Sequence, residues 1–388
     1  MLYVGNEHLT SFGTLASLSL LKDQVLFLDV NYSKVKEKED YLIKQMQLNV
    51  ALSNGLVVRL NGLTCYLGSK TLPSRTIMSK LYNVLLSLNF RPDIVVTRSA
   101  RTFYVGLFLS KIFKVPLVLH VASIRGLKFP AFITYNKQYS ELFRAPLSVI
   151  HHVFQSYISD ATIFSERFSY ETFKKMVYKP LFVVESVFAQ YIEPISKELN
   201  YSIPISKQYA LSINSGRRGV DPTQLKILIY IAKHVKEVNF VIVGISAKDA
   251  FDIIQKPLPD NLIFVGRMSS SYLRPLYINA SVVVNPILLK AQSNRFLEAL
   301  FYRKAIITTS ECTFFYKNLK HEQHVIIEDD FTNYPYWVRK IINDHELRHK
   351  LETGAGEYLA KFLSPERHGR LFHFILEWVL QNNVNSNF

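Results

Sequence analysis

Residues 261–310 read NLIFVGRMSSSYLRPLYINASVVVNPILLKAQSNRFLEALFYRKAIITTS. The order is short apolar strand, helix, apolar strand, polar loop, helix, apolar strand. Continuous apolar strands separated by helices mark a parallel sheet buried on both faces. At the centre, the loop LLKAQSN runs into a helix that carries Arg295 and Glu298. Either Ser293 or Asn294 can cap that helix by accepting from an unpaired backbone N–H. A helix start just beyond a parallel strand combines free N–H groups with a positive dipole end, and so suits an anion. Arg295 and Glu298 stand three apart and project from one face. A guanidinium there can hold a diphosphate, and a carboxylate one turn on can accept from two sugar hydroxyls. The same spacing also fits a plain surface ion pair on an ordinary helix, and spacing does not choose between the two.

Outward from this stretch, the composition sets the class. The chain has 388 residues, 48% hydrophobic and 20% charged, enough for two domains with ordinary cores. Its two cysteines, Cys65 and Cys312, lie far apart and form neither a disulfide framework nor a metal-ligand spacing. That fits a reducing compartment. The start, MLYVGNEHLTSFG, lacks a basic segment followed by a long apolar run, and no stretch has the length to span a bilayer. A cytoplasmic location follows as the expectation, with the inner membrane face as a further possibility.

The formal net charge is +15, and it is unevenly placed. Between Asp40 and Glu141 the only acid is Asp93, against thirteen lysines and arginines. Such a field attracts an anionic partner: a membrane surface, a lipid phosphate or a nucleic acid. Solvated basic faces that aid solubility are the plainer alternative.

The βα alternation continues through the rest of the chain. Strands are expected over 2–5, 24–30, 56–60 and 64–67, with helices over 14–21 and 73–88 and a charged turn or short helix over 31–40. RPDIVVT, a helix over 101–113 and VPLVLH form a βαβ unit. In open parallel sheets, ligands bind beyond the carboxyl ends of strands. Arg98, Ser99 and His120 lie at such ends and are expected to face a cleft; for His120 a loop residue bonded to backbone is the alternative. Residues 121–159 then interleave Phe and Tyr with Arg125, Lys128, Lys137 and Arg144. This run reads as a lid, an acceptor surface, the edge of a membrane-binding face, or one or two packed aromatic helices. The adjacent His151 and His152 point different ways and do not suggest a metal site.

DATIF, a helix over 168–177 and a strand over 181–184 follow. The polar, proline-marked run 195–207 reads as a linker. Beyond it, strands at 209–213, 239–243 and 325–327 and helices over 223–234, 248–255, 272–279, 334–344, 346–361 and 366–381 complete a second alternation. The fold class is α/β, with two Rossmann-like parallel-sheet domains facing a cleft. The domains are expected over 1–200 and 208–362. The loop Ser215, Gly216, Arg217, Arg218, Gly219 after the first strand of the second domain offers glycine for close approach and arginine for charge. Acid–base candidates are poor. Glu328, Asp329 and Asp330 read as a solvated turn, and His321 and His324 as surface residues. No P-loop lysine motif and no G-x-S-x-G nucleophile motif occurs.

These residues resemble the family 4 glycosyltransferases of GT-B fold, also called glycosyl transferases group 1. The resemblance rests on NFVIVG, NLIFVGRMSSSYLRPLYINASVVVNP and SNRFLEALFYRKAIITTS, and more weakly on RPDIVVTRSA, KVPLVLH and SDATIFSERF. It implies a transferase that moves a sugar, with retention, from a nucleotide diphosphate sugar to a glycan or lipid-linked acceptor, needing no metal and no further cofactor. It implies that Glu298 holds the donor ribose, that Arg295 stands where the family has Lys at the diphosphate, and that Arg217 or Arg218 is the second phosphate-binding residue. His120 would lie near the transferred sugar, and Gly216, Lys290, Ser293 and Asn294 would line the donor site. Arg98, Ser99 and Arg125 would lie on the acceptor side, and the last helix, over 366–382, would cross back onto the first domain. Lys290 stands where the family's Glu-x7-Glu pair has its first acid, and Arg303-Lys304-Ala305 where it has Gly-Lys-Pro. Alternatives are a sugar-nucleotide epimerase of similar architecture and an inactive relative that binds glycan or membrane, with nucleic acid the disfavoured partner.

Overall fold

A computed structural model of the protein describes residues 2–5, 26–29, 57–59, 91–122, 124, 127, 141–185, 208–213, 222–268, 270–287 and 293–384. The elements expected over 14–21, 31–40, 64–67 and 73–88 lie outside these residues, as do Arg125, Gly216, Arg217, Arg218 and Lys290. The chain divides into two compact units.

The first unit holds a parallel sheet of β1 (Leu2–Gly5), β2 (Leu26–Asp29), β3 (Val57–Arg59), β4 (Val95–Arg98), β5 (Leu117–Val121), β6 (Ala161–Phe164) and β7 (Leu181–Val183). Their order is β3-β2-β1-β4-β5-β6-β7, all pairs parallel. Helices α1 (Ser99–Phe113), α2 (Glu141–Ile158) and α3 (Arg167–Phe173) accompany it. α3 stops at Phe173, short of the expected 177. Lys174 and Lys175 face solvent there, and the Met176 N–H donates to the Phe173 carbonyl at 2.8 Å in a tight turn.

Strand parity decides what lies on each face. Val95 of β4 and Leu117, Leu119 and Val121 of β5 pack with Phe103, Val105 and Leu109 of α1. Ile94, Val96, Val118, Ala161 and Ile163 pack instead against Phe372, Ile375, Leu376 and Val379. Those four belong to α10 (Pro365–Val384), the last helix of the chain, which is part of this first unit. Four large apolar side chains at i, i+3, i+4 and i+7 form the stripe that a helix needs to cover a sheet. Each contributes on the order of 2 kcal/mol of burial.

The second unit holds β8 (Tyr209–Ile213), β9 (Asn239–Val243), β10 (Leu262–Gly266), β11 (Val282–Val284), β12 (Ile306–Thr308) and β13 (Ile326–Ile327). The order is β10-β9-β8-β11-β12-β13, again all parallel. Between them run α4 (Pro222–His234), α5 (Ala247–Ile254), α6 (Ser270–Asn279) and α7 (Asn294–Phe301), followed by α8 (Tyr334–Asn343) and α9 (His345–Phe362). Leu225, Leu228, Ile231, Phe240, Ile242, Val282, Val284 and Ile307 lie in its core.

Close approach of α9 to the loop before β13 depends on Gly354. A Cβ there would sit 1.9 Å from the Gln323 carbonyl oxygen. The same contact corrects the expectation for His324, which is buried rather than on the surface. Its Nδ1 accepts from the Lys320 N–H at 3.0 Å, and its ring lies 5.2 Å from that of Tyr358. His321 is exposed and accepts from the Ile327 N–H at 3.0 Å.

Candidate functional site

In the second sheet, β8 and β11 are neighbours although three strands apart in sequence, and the strand order reverses between them. The loops leaving two such strands diverge, and a crevice opens at their carboxyl ends. The loop after β8 carries the Gly216, Arg217, Arg218 sequence. The loop after β11 leads into α7.

The start of α7 is tied down on several sides. Ser293 is its N-cap, accepting from the Phe296 N–H at 3.3 Å. Asn285, just past β11, donates to the Ser293 hydroxyl at 3.4 Å. Tyr316 donates to the Ser293 carbonyl at 3.3 Å and stacks on Phe296 with ring centres 4.6 Å apart. Thr309 donates to the Ile287 carbonyl at 2.5 Å, joining the end of β12 to the loop after β11. Of the two capping candidates it is therefore Ser293 that caps, and Asn294 is the first helical residue.

Arg295 and Glu298 meet on the first turn of α7. One guanidinium nitrogen, Nη1, donates to Glu298 Oε1 at 2.6 Å and to Oε2 at 2.7 Å. The Glu298 side chain is 6% exposed and that of Arg295 is 26% exposed, so the arginine forms the solvent side of the pair. A third group closes the inner side. Tyr277 of α6, fully buried, donates its hydroxyl to Glu298 Oε2 at 2.9 Å and lies 3.3 Å from the Arg295 carbonyl. Its ring stacks on Tyr302 at 5.0 Å. Burial and the Glu298 charge both push the Tyr277 hydroxyl's pKa well up, so it is a permanent donor. For Arg295, burial opposes the charge, but Glu298 outweighs it and the pKa is raised. A buried carboxylate with donors on its inner and its solvent side is held in one orientation. The arrangement offers a positioned carboxylate, a guanidinium and the amino-terminal end of a capped helix within one turn.

Tyr277 was not singled out by sequence reasoning. It lies 21 positions before Glu298 on another helix, and no periodicity links them; its place in LYINA, two residues ahead of the loop into β11, was the only signal.

In the first unit, Arg98 ends β4, beside β1, where that sheet's order also reverses, and Ser99 opens α1. Arg98 and His120 are register partners on neighbouring strands. Both are buried, which differs from the expected cleft-facing position. Parity is the reason: they share the face of Val96 and Val118, which α10 covers. His120 Nε2 and the Ser165 hydroxyl share a 2.9 Å hydrogen bond, and the Phe372 ring meets the imidazole edge-on at 5.3 Å. His368 of α10 donates through Nδ1 to the Glu185 carbonyl at 2.8 Å. Burial, and then the charge of Arg98, hold the His120 pKa well below its ordinary value. Burial lowers that of His368 to about 4, against the pull of its carbonyl partner. Both rings are neutral at pH 7.

The Glu328, Asp329 and Asp330 run is a structural turn. Glu328 accepts from Trp337 Nε1, Asp329 from the Ser310 N–H and Asp330 from the Thr332 N–H. Among the described residues, no group of three or more His, Cys, Asp or Glu side chains could hold a metal ion, and no helix is long and apolar enough to cross a membrane.

Solved structures share this fold across nearly the whole chain. Anabaena HepE in complex with UDP and glucose aligns with a TM-score of 0.66 at 13% identity, covering 97% of this chain and 99% of that one. A glycosyltransferase from Rickettsia africae aligns at 0.62 and 13% identity, covering 98% and 99%. Sucrose-phosphate synthase from Thermosynechococcus elongatus aligns at 0.61 and 11% identity, covering 98% and 100%. The architecture is thus that of the GT-B glycosyltransferases. A search of curated proteins found no match. Residues 215–335, which contain the β8 loop sequence, α6 and α7, match the family model described as Glycosyl transferases group 1, and this part of the chain is similar to that family.

Proposed function

We propose that the protein is a glycosyltransferase that takes its sugar from a nucleotide diphosphate sugar. The observation that carries this is the capped start of α7, where Glu298 is fixed by Tyr277 and Arg295 at the reversal of strand order. Glu298 accepts from the ribose hydroxyls of the donor. Arg295 turns from Glu298 to the diphosphate, joined by the helix N–H groups and by Arg217 or Arg218 of the β8 loop. As the bond from the anomeric carbon to the diphosphate breaks, negative charge grows on the departing oxygen, and these donors meet it where it develops. Their charge does the work a metal would otherwise do, and the transfer retains anomeric configuration. Lys290 adds a cation near the donor. No step is placed on His120, which Ser165 and Phe372 enclose.

The similarity of residues 215–335 to group 1 glycosyl transferases and the UDP held by Anabaena HepE support this reading. The acceptor is a glycan or a lipid-linked sugar in the cytoplasm, in keeping with the basic N-terminal half.

The experiment is a screen of nucleotide sugars with the full chain, measuring nucleoside diphosphate release with and without candidate acceptors. Release that rises with one acceptor and is lost in Glu298→Ala supports the proposal. Return of the intact nucleotide with an epimerised sugar, or no turnover of any nucleotide sugar, contradicts it.

A further inference from the structure

Residues 145–158 of α2 contain no Asp, Glu, Lys or Arg. One face of the helix turns inward: Val149 and Val153 join the core beside Tyr104 of α1, and His152, Gln155 and Ser156 are buried. The opposite face is apolar too, and it is open. Leu147 is 66% exposed, Ile150 64% and Phe154 54%, with Tyr157 and Ile158 continuing the line. Positions 147, 150, 154 and 157 follow helical spacing, so this is one stripe rather than scattered residues. Single exposed apolar residues need no explanation, but a continuous stripe along a fourteen-residue stretch of helix that carries no charge of its own does.

The surroundings indicate what covers it. Tyr157 donates to the Met176 carbonyl at 2.9 Å, which fixes the turn after α3 at the end of the stripe. That turn presents Lys174, Lys175, Tyr178 and Lys179, all exposed, with Tyr178 at 95%. α1 and α2 each precede a strand of the same parallel sheet, so both end at its amino edge. Lys111 and Lys114 are exposed at the end of α1. Among the described residues, Asp160 accepts from the Leu117 N–H at 2.8 Å, and Glu171 lies 3.9 Å from Arg167. An apolar stripe ending in aromatic rings and lysines matches the layers of an anionic bilayer surface, with acyl chains below and headgroup phosphates above. A second copy of the chain is the poorer occupant, because it would bring the same lysines and the same net charge of +15 to the contact.

We propose that the outward face of α2, together with the lysine turn at 174–179, docks the protein on an anionic lipid bilayer. The helix lies in the plane of the interface, with Leu147, Ile150 and Phe154 entering the apolar layer and Lys174, Lys175 and Lys179 meeting lipid phosphates. This surface belongs to the first unit and α7 to the second, and its test needs no donor or turnover.

The test is flotation of the full chain with phosphatidylcholine vesicles, with and without phosphatidylglycerol, alongside sedimentation of the protein alone. Binding is expected to the anionic vesicles and to weaken with added salt. Ile150→Asp combined with Phe154→Asp is expected to reduce partitioning by more than about tenfold, with the circular dichroism unchanged because both side chains are exposed. Reversing each of Lys174, Lys175 and Lys179 to Glu is expected to weaken it by about fivefold or more per residue. Phe154→Trp supplies a second readout, a blue-shifted emission on anionic vesicles only. Absence of binding to anionic vesicles, equal binding by the stripe variant, an unshifted Trp emission, or a dimer that the stripe variant breaks while vesicles are ignored would each overturn the proposal.

Discussion

Tyr277→Phe removes one oxygen and nothing else, and it tests whether Glu298 is held as described. The hydroxyl donates to Glu298 Oε2 at 2.9 Å, inside a cluster where the glutamate side chain is 6% exposed. A hydrogen bond to a charged group contributes about 1.5–3 kcal/mol, and a buried acceptor that loses its donor has no water to replace it. The expected loss of stability is about 2 kcal/mol, a factor of roughly 30 in the folding equilibrium of the C-terminal unit. Arg295 remains on both carboxylate oxygens, so complete collapse of the site is not expected. The chain has two tryptophans, Trp337 in the C-terminal unit and Trp378 in α10. Urea unfolding in a Trp378→Phe background therefore lets Trp337 report on the unit that holds the site. Charge-assisted hydrogen bonds are roughly twice as strong as neutral ones. In a Glu298→Gln background the same Tyr277→Phe change should thus cost about half as much, a coupling of about 1 kcal/mol. A loss below about 0.5 kcal/mol, or an identical loss in the two backgrounds, would refute the reasoning.

Gly354→Ala should destabilise the C-terminal unit by about 1–3 kcal/mol or more, because its Cβ would meet the Gln323 carbonyl oxygen, which is backbone and cannot swing aside; the same urea titration measures it, and an unchanged midpoint would show that α9 moves freely. Acid should weaken the N-terminal unit. The His368 pKa falls from 6.5 to about 4 on folding, so the unfolded chain binds the extra proton between those values. Stability from this group is full above about pH 6.5 and is lost as pH falls toward 4, by about 3 kcal/mol. His120, shifted in the same direction, adds to the effect, with Arg98 as the neighbouring charge. Unfolding followed by Trp378 between pH 7 and pH 4 should show this slope, and His368→Gln should flatten it; a flat wild-type profile would contradict the buried neutral histidine.

Much of the C-terminal unit was legible in residues 261–310 because three kinds of signal agreed there. Apolar runs gave the strands, the Ser293-Asn294 pair marked the helix start to within one residue, and a spacing of three placed Arg295 and Glu298 on one face. Tyr277 was not legible, since its contact with Glu298 arises only when α6 and α7 pack side by side. Arg98 and His120 were correctly seen at strand ends, but whether the face they take is covered depends on α10, more than two hundred residues on. Parity with Val96 and Val118 could have shown that they share a face, though not that the face is covered. The open stripe of α2 was hidden for a related reason. Residues 145–158 are apolar or uncharged on both sides, so periodicity cannot distinguish the core face from the exposed one. His324 was misread as a surface residue because its burial comes from Gly354 and Tyr358, neither of which marks it locally.

Binding of a nucleoside diphosphate at α7 tests the central claim most directly. Thermal unfolding of the full chain should be measured with a panel of nucleoside diphosphates, for the wild type, Arg295→Ala and Glu298→Ala. A ligand selective for the folded state at a hundred times its Kd stabilises by about 2.7 kcal/mol. The account predicts such a shift with at least one nucleoside diphosphate, a smaller one in Arg295→Ala and none in Glu298→Ala. No shift with any nucleoside diphosphate, or a full shift in Glu298→Ala, would contradict it.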